Sequence, residues 1–245
     1  MDYASDGRET VAWVATLKAE GVEIMDAMVS IDNMDHFCQL YCMSSDQDTV
    51  EEAAEGKQEA LLEAAVGVFA RYGYRKASMD EVARAAGVSR QGLYLQFEDK
   101  EELFRKAVSF KLTRQLSAAI LELSKPRASL EARLIAACDE WAGRFVGSLG
   151  ADAADLMCAS TSLAGATLAE YEGRFEGALA HAIGDSGLAP VCARLGLSVA
   201  AVARALHGAV RGLKHTSKSR AEFVTGVTAA VRLFCAPLAS PEEGR

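Results

Sequence analysis

Between Ser89 and Gln96 the chain reads Ser, Arg, Gln, Gly, Leu, Tyr, Leu, Gln, and the polar members of that run suit one kind of chemistry. Arg90 can grip guanine O6 and N7 with two parallel hydrogen bonds. Gln91 can do the same for adenine N6 and N7, each such pair discriminating by about 1–3 kcal/mol against the wrong base. Tyr94 and Gln96 add donors that fit phosphate oxygens. Val88, Leu93 and Phe97 are apolar and interleave with them, as a short helix with one buried side requires. Chemistry of other kinds has less to build on. There is no phosphate-cradling glycine loop, no His-Glu-x-x-His and no Gly-x-Ser-x-Gly, and the four histidines are scattered at His36, His181, His207 and His215. We expect no catalytic site, no metal and no cofactor.

Such a donor row needs a frame. Leu61, Leu62, Ala65, Val68, Phe69 and Tyr72 fall at offsets 0, 1, 4, 7, 8 and 11, the apolar stripe of an amphipathic helix, with Gly73 placed to cap it. Ser78-Met79-Asp80-Glu81 is a capping box that opens a second helix with Val82, Ala83 and Ala86 inward. Gly87 ends it within nine residues. Ser89 can then cap a third helix carrying Leu93, Tyr94 and Phe97, and Asp99-Lys100-Glu101-Glu102 opens a fourth. A short helix, a glycine turn and a second short helix, braced by a longer one, make a helix-turn-helix.

From Lys57 to about Val108 the sequence resembles the TetR family of bacterial transcriptional regulators. The resemblance is carried by Leu62-Glu63-Ala64-Ala65 before Phe69-Ala70-Arg71-Tyr72-Gly73-Tyr74, by residues 78–89, by Leu93-Tyr94-Leu95-Gln96-Phe97 and by Lys100-Glu101-Glu102-Leu103. It implies that Arg90, Gln91 and Gly92 face base edges of double-stranded operator DNA, and that Ser78, Ser89, Tyr94, Gln96 and Lys100 hold phosphates. Two positions depart from the family pattern. Gly92 stands where a side chain is usual, and Gln96 replaces the usual His, which keeps a donor but makes it insensitive to pH.

The remaining chain must hold two such units apart. Its 245 residues are 50% apolar and 24% charged, with only 4 Pro, a composition of a packed, helix-rich chain. Apolar periodicity continues from Asp99 to about Ser124, then over residues 129–146, 153–161, 163–183, 198–215 and 219–235, with no useful strand alternation. The expected architecture is all-α: a helix-turn-helix unit over 57–108 and a larger helical bundle over 109–245. Residues 1–56 stand apart, with a charge balance of -11 against +3 for the rest. They read as a poorly ordered acidic extension, and Met43 is an alternative natural start. No apolar stretch reaches the ~18 residues of a membrane span and no signal peptide opens the chain, so the expected location is cytoplasmic, with no membrane partner. The six cysteines are then reduced; Cys138, Cys158, Cys192 and Cys235 read as small buried residues. His36, Cys38 and Cys42 lie within seven residues but lack a fourth ligand for a tetrahedral metal site.

The resemblance further implies a homodimer built from the last two helices, with Val199, Val202, Leu206, Val210, Leu213, Phe223, Val227, Val231 and Phe234 as apolar candidates for interface or core. It also implies a pocket in the bundle for an unknown small-molecule effector, with Trp141, Phe145, Met157, Tyr171, Phe175, His181 and His207 as candidate lining. The leading expectation is a ligand-released repressor. A nucleoid-associated or structural DNA binder without an inducer is the alternative, and a helical enzyme or carrier whose helix-turn-helix no longer reads DNA is a further one.

Overall fold

A computed structural model describes residues 56–147 and 153–239, and among them every regular element is a helix. The first, α1, covers residues 56–76 and buries Leu61, Leu62, Ala65, Val68 and Phe69. Tyr72, last in the expected stripe, is instead 36% exposed. Gly73 takes a φ of 75°, so the helical path turns where a cap was expected, although the helix runs on to residue 76.

α2 (Met79–Ala86) opens on the capping box: Glu81 N–H donates to Ser78 Oγ at 3.3 Å, and Ser78 N–H donates to Glu81 Oε2 at 2.8 Å. It ends at Gly87, whose φ of 68° lies in the left-handed region open to glycine. α3 is Arg90–Tyr94, capped by Ser89 Oγ, which accepts from Gly92 N–H at 3.0 Å. It is shorter than expected, since Phe97 falls beyond its end. α4 (Lys100–Leu123) starts at Asp99, whose carboxylate accepts from Glu102 N–H at 2.7 Å.

The rest comprises α5 (Leu130–Trp141) with a 3-10 turn at Gly143–Phe145, α6 (Ala153–Gly184), α7 (Leu188–Arg194), α8 (Val199–Thr216) and α9 (Arg220–Ala239). The stretches expected at 153–161 and 163–183 are one helix, α6, with a kink where Ala164 adopts φ -132° and ψ 19°. α7 has no counterpart in the periodicity reading.

Two cores result. Leu93, Phe97, Leu103, Phe104 and Ala107 join the buried face of α1 in one, with Ala159 of α6. Leu134, Phe175, Leu179, Leu206 and Val227 anchor the other, each buried leucine contributing roughly 1.5–3 kcal/mol by leaving water. Val108 packs against both. The division expected at 108/109 therefore falls inside α4, a rod of about 36 Å at 1.5 Å per residue, which belongs to both cores. α6 is shared in the same way: Leu156, Ala159 and Leu163 meet the first core, and Tyr171, Phe175 and Leu179, past the kink, meet the second.

Val202, Leu206, Val210, Phe223, Val227 and Val231, candidates for interface or core, are buried within the single chain, where they close α8 and α9 onto α5 and α6. One expectation needs correction. Cys138, Cys192 and Cys235 are buried, but Cys158 is exposed, since it lies on the outer side of α6. Burial pushes the Cys138 thiol up to about 12, which leaves it inert. His36, Cys38, Cys42 and the rest of the acidic extension, Gly56 excepted, lie outside the described residues. No single described helix is long and apolar enough to cross a membrane.

Candidate nucleic-acid interface

The tip of the first core is built by exclusion. Leu93 is 0% and Phe97 2% exposed, and seating them turns the other side of α3 outward. Arg90, Gln91, Tyr94 and Gln96 are all exposed, Tyr94 at 43%. The Arg90 guanidinium stands 5.6 Å from the Tyr94 ring centroid and donates from Nη1 to Asp80 Oδ2 at 3.0 Å. Both partners of that ion pair are more than half exposed, so it is worth little in water. It holds the guanidinium over the α2–α3 junction while leaving it free to exchange Asp80 for another acceptor.

The other expected contacts divide. Ser78 and Ser89 are exposed, each with its hydroxyl engaged as a helix cap. Gly92 presents only backbone, and a Cβ there would stand 3.2 Å from Ser89 Oγ, the capping atom itself; a side chain at 92 would crowd the cap that starts α3. The Lys100 ammonium is turned back onto the protein. Its Nζ donates to Tyr74 O at 3.0 Å, Ala77 O at 3.2 Å and Arg75 O at 3.5 Å, and lies 4.5 Å from the Tyr74 ring centroid. Three carbonyls at the end of α1 take up its donors, so Lys100 clamps α1 to the start of α4. The sequence gives no reason to single out Leu95, yet it is 81% exposed beside the polar tips.

Below this tip the molecule holds a cavity of about 540 Å³ bounded by α1, α4, the turn after α5, α6 and α8. Of the expected effector residues, Trp141, Phe145 and Met157 line it. Tyr171, Phe175, His181 and His207 do not. Phe175 stacks behind Trp141 with centroids 4.7 Å apart, and Tyr171 shares a hydrogen bond of 2.6 Å with Thr113. His207 is buried with Nδ1 2.9 Å from Glu176 Oε1, a bond that holds the Glu176 carboxyl below the usual range. His181 is exposed, 3.3 Å from Asp185. Their spacing on apolar helices does not separate a cavity wall from the layer behind it. Periodicity likewise gave no notice of the basic groups that do line the cavity: Lys111, Arg211, Lys214 and His215.

The cavity borders the tip's own supports. Phe69 of α1 and Phe104 of α4 face it and pack edge-to-face with centroids 5.0 Å apart. On α6, Leu156 and Met157 face it, next to Asp155. The Asp155 carboxylate accepts from Arg75 N–H at 2.8 Å and pairs with the Arg75 guanidinium at 3.1 Å, tying α6 to the last turn of α1.

Comparison with known proteins agrees with this geometry. Residues 61–107 match the profile described as bacterial regulatory proteins, tetR family. The chain is 40% identical over 58 residues to the uncharacterized HTH-type transcriptional regulator YfiR of Bacillus subtilis, covering 24% of this chain and 28% of that protein. It is 36% identical over 98 residues to the HTH-type transcriptional repressor BepR of Brucella suis, covering 38% and 46%. The match thus spans less than half the length of these relatives. Among solved structures, reduced NemR of Escherichia coli superposes with a TM-score of 0.58 at 15% identity, over 73% of this chain and 97% of that one. A TetR-like transcriptional regulator from Rhodococcus sp. RHA1 gives 0.52 at 24% identity, over 76% and 97%. At such identities these two speak for the fold alone.

Proposed function

Residues 61–107 are a TetR-family DNA-binding domain, and on that premise we propose that the chain is a dimeric, sequence-specific transcriptional regulator. It acts in the cytoplasm, without catalysis, as a repressor that leaves its operator when a small molecule fills the cavity. The observation that carries the reading is the outward row Arg90, Gln91, Tyr94 and Gln96 on a tip seated by Leu93 and Phe97. Arg90 and Gln91 read base edges. Ser78, Ser89, Tyr94 and Gln96 steady the backbone, and Gly92 lets α3 approach closely.

A five-residue helix reaches few base pairs, so selectivity requires two tips about 34–36 Å apart, one turn of the duplex. α8 supports pairing with a second copy: Ala201, Ala205, Gly208 and Gly212 are exposed at offsets 0, 4, 7 and 11, and a Cβ on either glycine would enter open space. Backbones can meet closely along such a stripe. Release follows if the effector binds the non-operator spacing more tightly than the operator spacing; equal affinity for both would shift nothing.

The test is selection of bound sequences from random duplex DNA at stated salt concentration. A two-fold symmetric consensus is expected. Broad binding without a consensus would overturn this reading in favour of a structural DNA binder.

A further inference from the structure

The basic groups of the cavity are not explained by the DNA-reading tip or by the core. Lys111 sits on α4 with its Nζ 3.7 Å from the Phe145 ring centroid, partly buried in a wall that also contains Trp141, Val146 and Leu112. Lys214 lines the same space from α8, close enough that its charge disfavours the Lys111 ammonium. The nearby acids are already matched: Glu172 lies 3.4 Å from Arg211, and Glu63 accepts from Arg114 at 2.9 Å. Among the described residues no carboxylate stands within ion-pair distance of Lys111 or Lys214. Lys111, half-buried, and Lys214, exposed at the rim, bring two ammonium groups to one largely apolar chamber, and neither has a carboxylate in ion-pair contact: Glu63 and Glu172 act on them only at longer range.

Two turns nearer the start of α4 the lining has a different character. Phe69, Phe104, Leu156 and Met157 present aromatic and aliphatic surface with no charge. A ligand filling both regions needs an anionic head and an apolar body. An organic cation would place its charge beside two like charges, and a neutral molecule would leave those charges unmatched.

We infer that the cavity is selective for an amphipathic organic anion, a carboxylate or comparable acid on an apolar body, with its head between Lys111 and Lys214 and its body between Phe69, Phe104, Leu156 and Met157. This rests on the reading of the cavity as the effector site and names the effector's class. It also gives the ligand a mechanical route. Its body contacts α6 before the kink at Ala164, the segment that carries Asp155 and hence Arg75 at the entrance to the reading head. An anion drawn toward the lysines bears on this segment, while α6 beyond the kink stays in the bundle core.

Decanoate, decanamide and decylammonium share one tail and differ in head charge; 2-naphthoate and 2-naphthamide repeat the comparison with a rigid body. Each is titrated into the full-length chain without DNA and followed calorimetrically below its aggregation threshold. In at least one series the anion is expected to bind ten or more times tighter than the amide, with decylammonium weakest. In Lys111→Gln, checked for an unchanged circular dichroism spectrum, the anion should lose tenfold or more and the amide less than threefold. Amides binding as tightly as anions in both series, tighter binding of decylammonium, or an unaltered anion preference in Lys111→Gln would overturn the inference. A chain that selects symmetric DNA but prefers amides sinks this inference alone. One that selects anions but no DNA sequence sinks the regulator reading alone.

Discussion

At the scale of single residues, the exposed guanidinium of Arg90 is held by a weak partner, and that sets two expectations. Arg90→Ala should lose about 1–3 kcal/mol on the selected operator while changing affinity for unrelated DNA far less, because base-edge contacts carry the discrimination. Fluorescence anisotropy on matched and scrambled duplexes measures both, and equal losses on the two would remove Arg90 from base reading. Asp80→Asn should act in the opposite direction. Removing the carboxylate 3.0 Å from Nη1 frees the guanidinium and takes a negative charge away from the DNA side, so affinity should rise several-fold on both duplexes at low salt. An unchanged affinity would mean that the ion pair does not compete with DNA.

Helices and their junctions are where Lys100 acts. Its three carbonyl acceptors make it the clamp between α1 and α4, and hydrogen bonds from a charged donor contribute roughly 1.5–3 kcal/mol each at most. Lys100→Met keeps the stem over Tyr74 and removes the donors, so it should destabilise the chain by about 1–3 kcal/mol in denaturant melts. The dependence of DNA affinity on salt should keep its slope, since no phosphate contact is lost. A slope shallower by about one, at unchanged stability, would restore Lys100 to the phosphate row.

For the molecule as a whole, pairing and pH response are the properties to test. Leu233 on α9 is 78% exposed, an apolar side chain that a partner copy would cover; Leu233→Glu should shift sedimentation toward monomer with helical content retained. A dimer of unaltered stability would place the interface elsewhere. Lys111 gives the pH dependence. Burial, reinforced by Lys214 and opposed by Glu63, lowers its pKa to about 8, and Arg211, His215 and Glu172 share the cavity with it. The unfolded chain therefore holds more protons than the folded one between about 8 and the ordinary lysine value, so this group's contribution to stability improves as pH rises through that window. Anion affinity runs the other way: it should be full below 8 and decline as the ammonium discharges. Decanoate titrations at pH 7 and 9.5 check it, and Lys111→Gln should flatten the difference.

The reading head was legible in the chain because its logic is local. Ser78 with Glu81, Gly87, Ser89 and Asp99 each act on a backbone group within a few residues, so spacing alone places the caps, and the helices between them leave Leu93 and Phe97 one side and Arg90 and Gln91 the other. Lys100 shows where this ends: its partners lie at positions 74, 75 and 77, more than twenty residues away, and an ammonium at a helix start reads the same in sequence whether it meets phosphate or carbonyl. The cavity was hidden for the same reason. Trp141 and Phe175 are both aromatic on apolar helices, and only packing decides that one forms the wall and the other its backing. Lys111 and Lys214 are 103 positions apart and become one electrostatic feature only once α4 and α8 close around the same space. Short-range hydrogen bonding and periodicity thus determined the head by themselves, while which charges share a chamber is a property of the folded bundle alone.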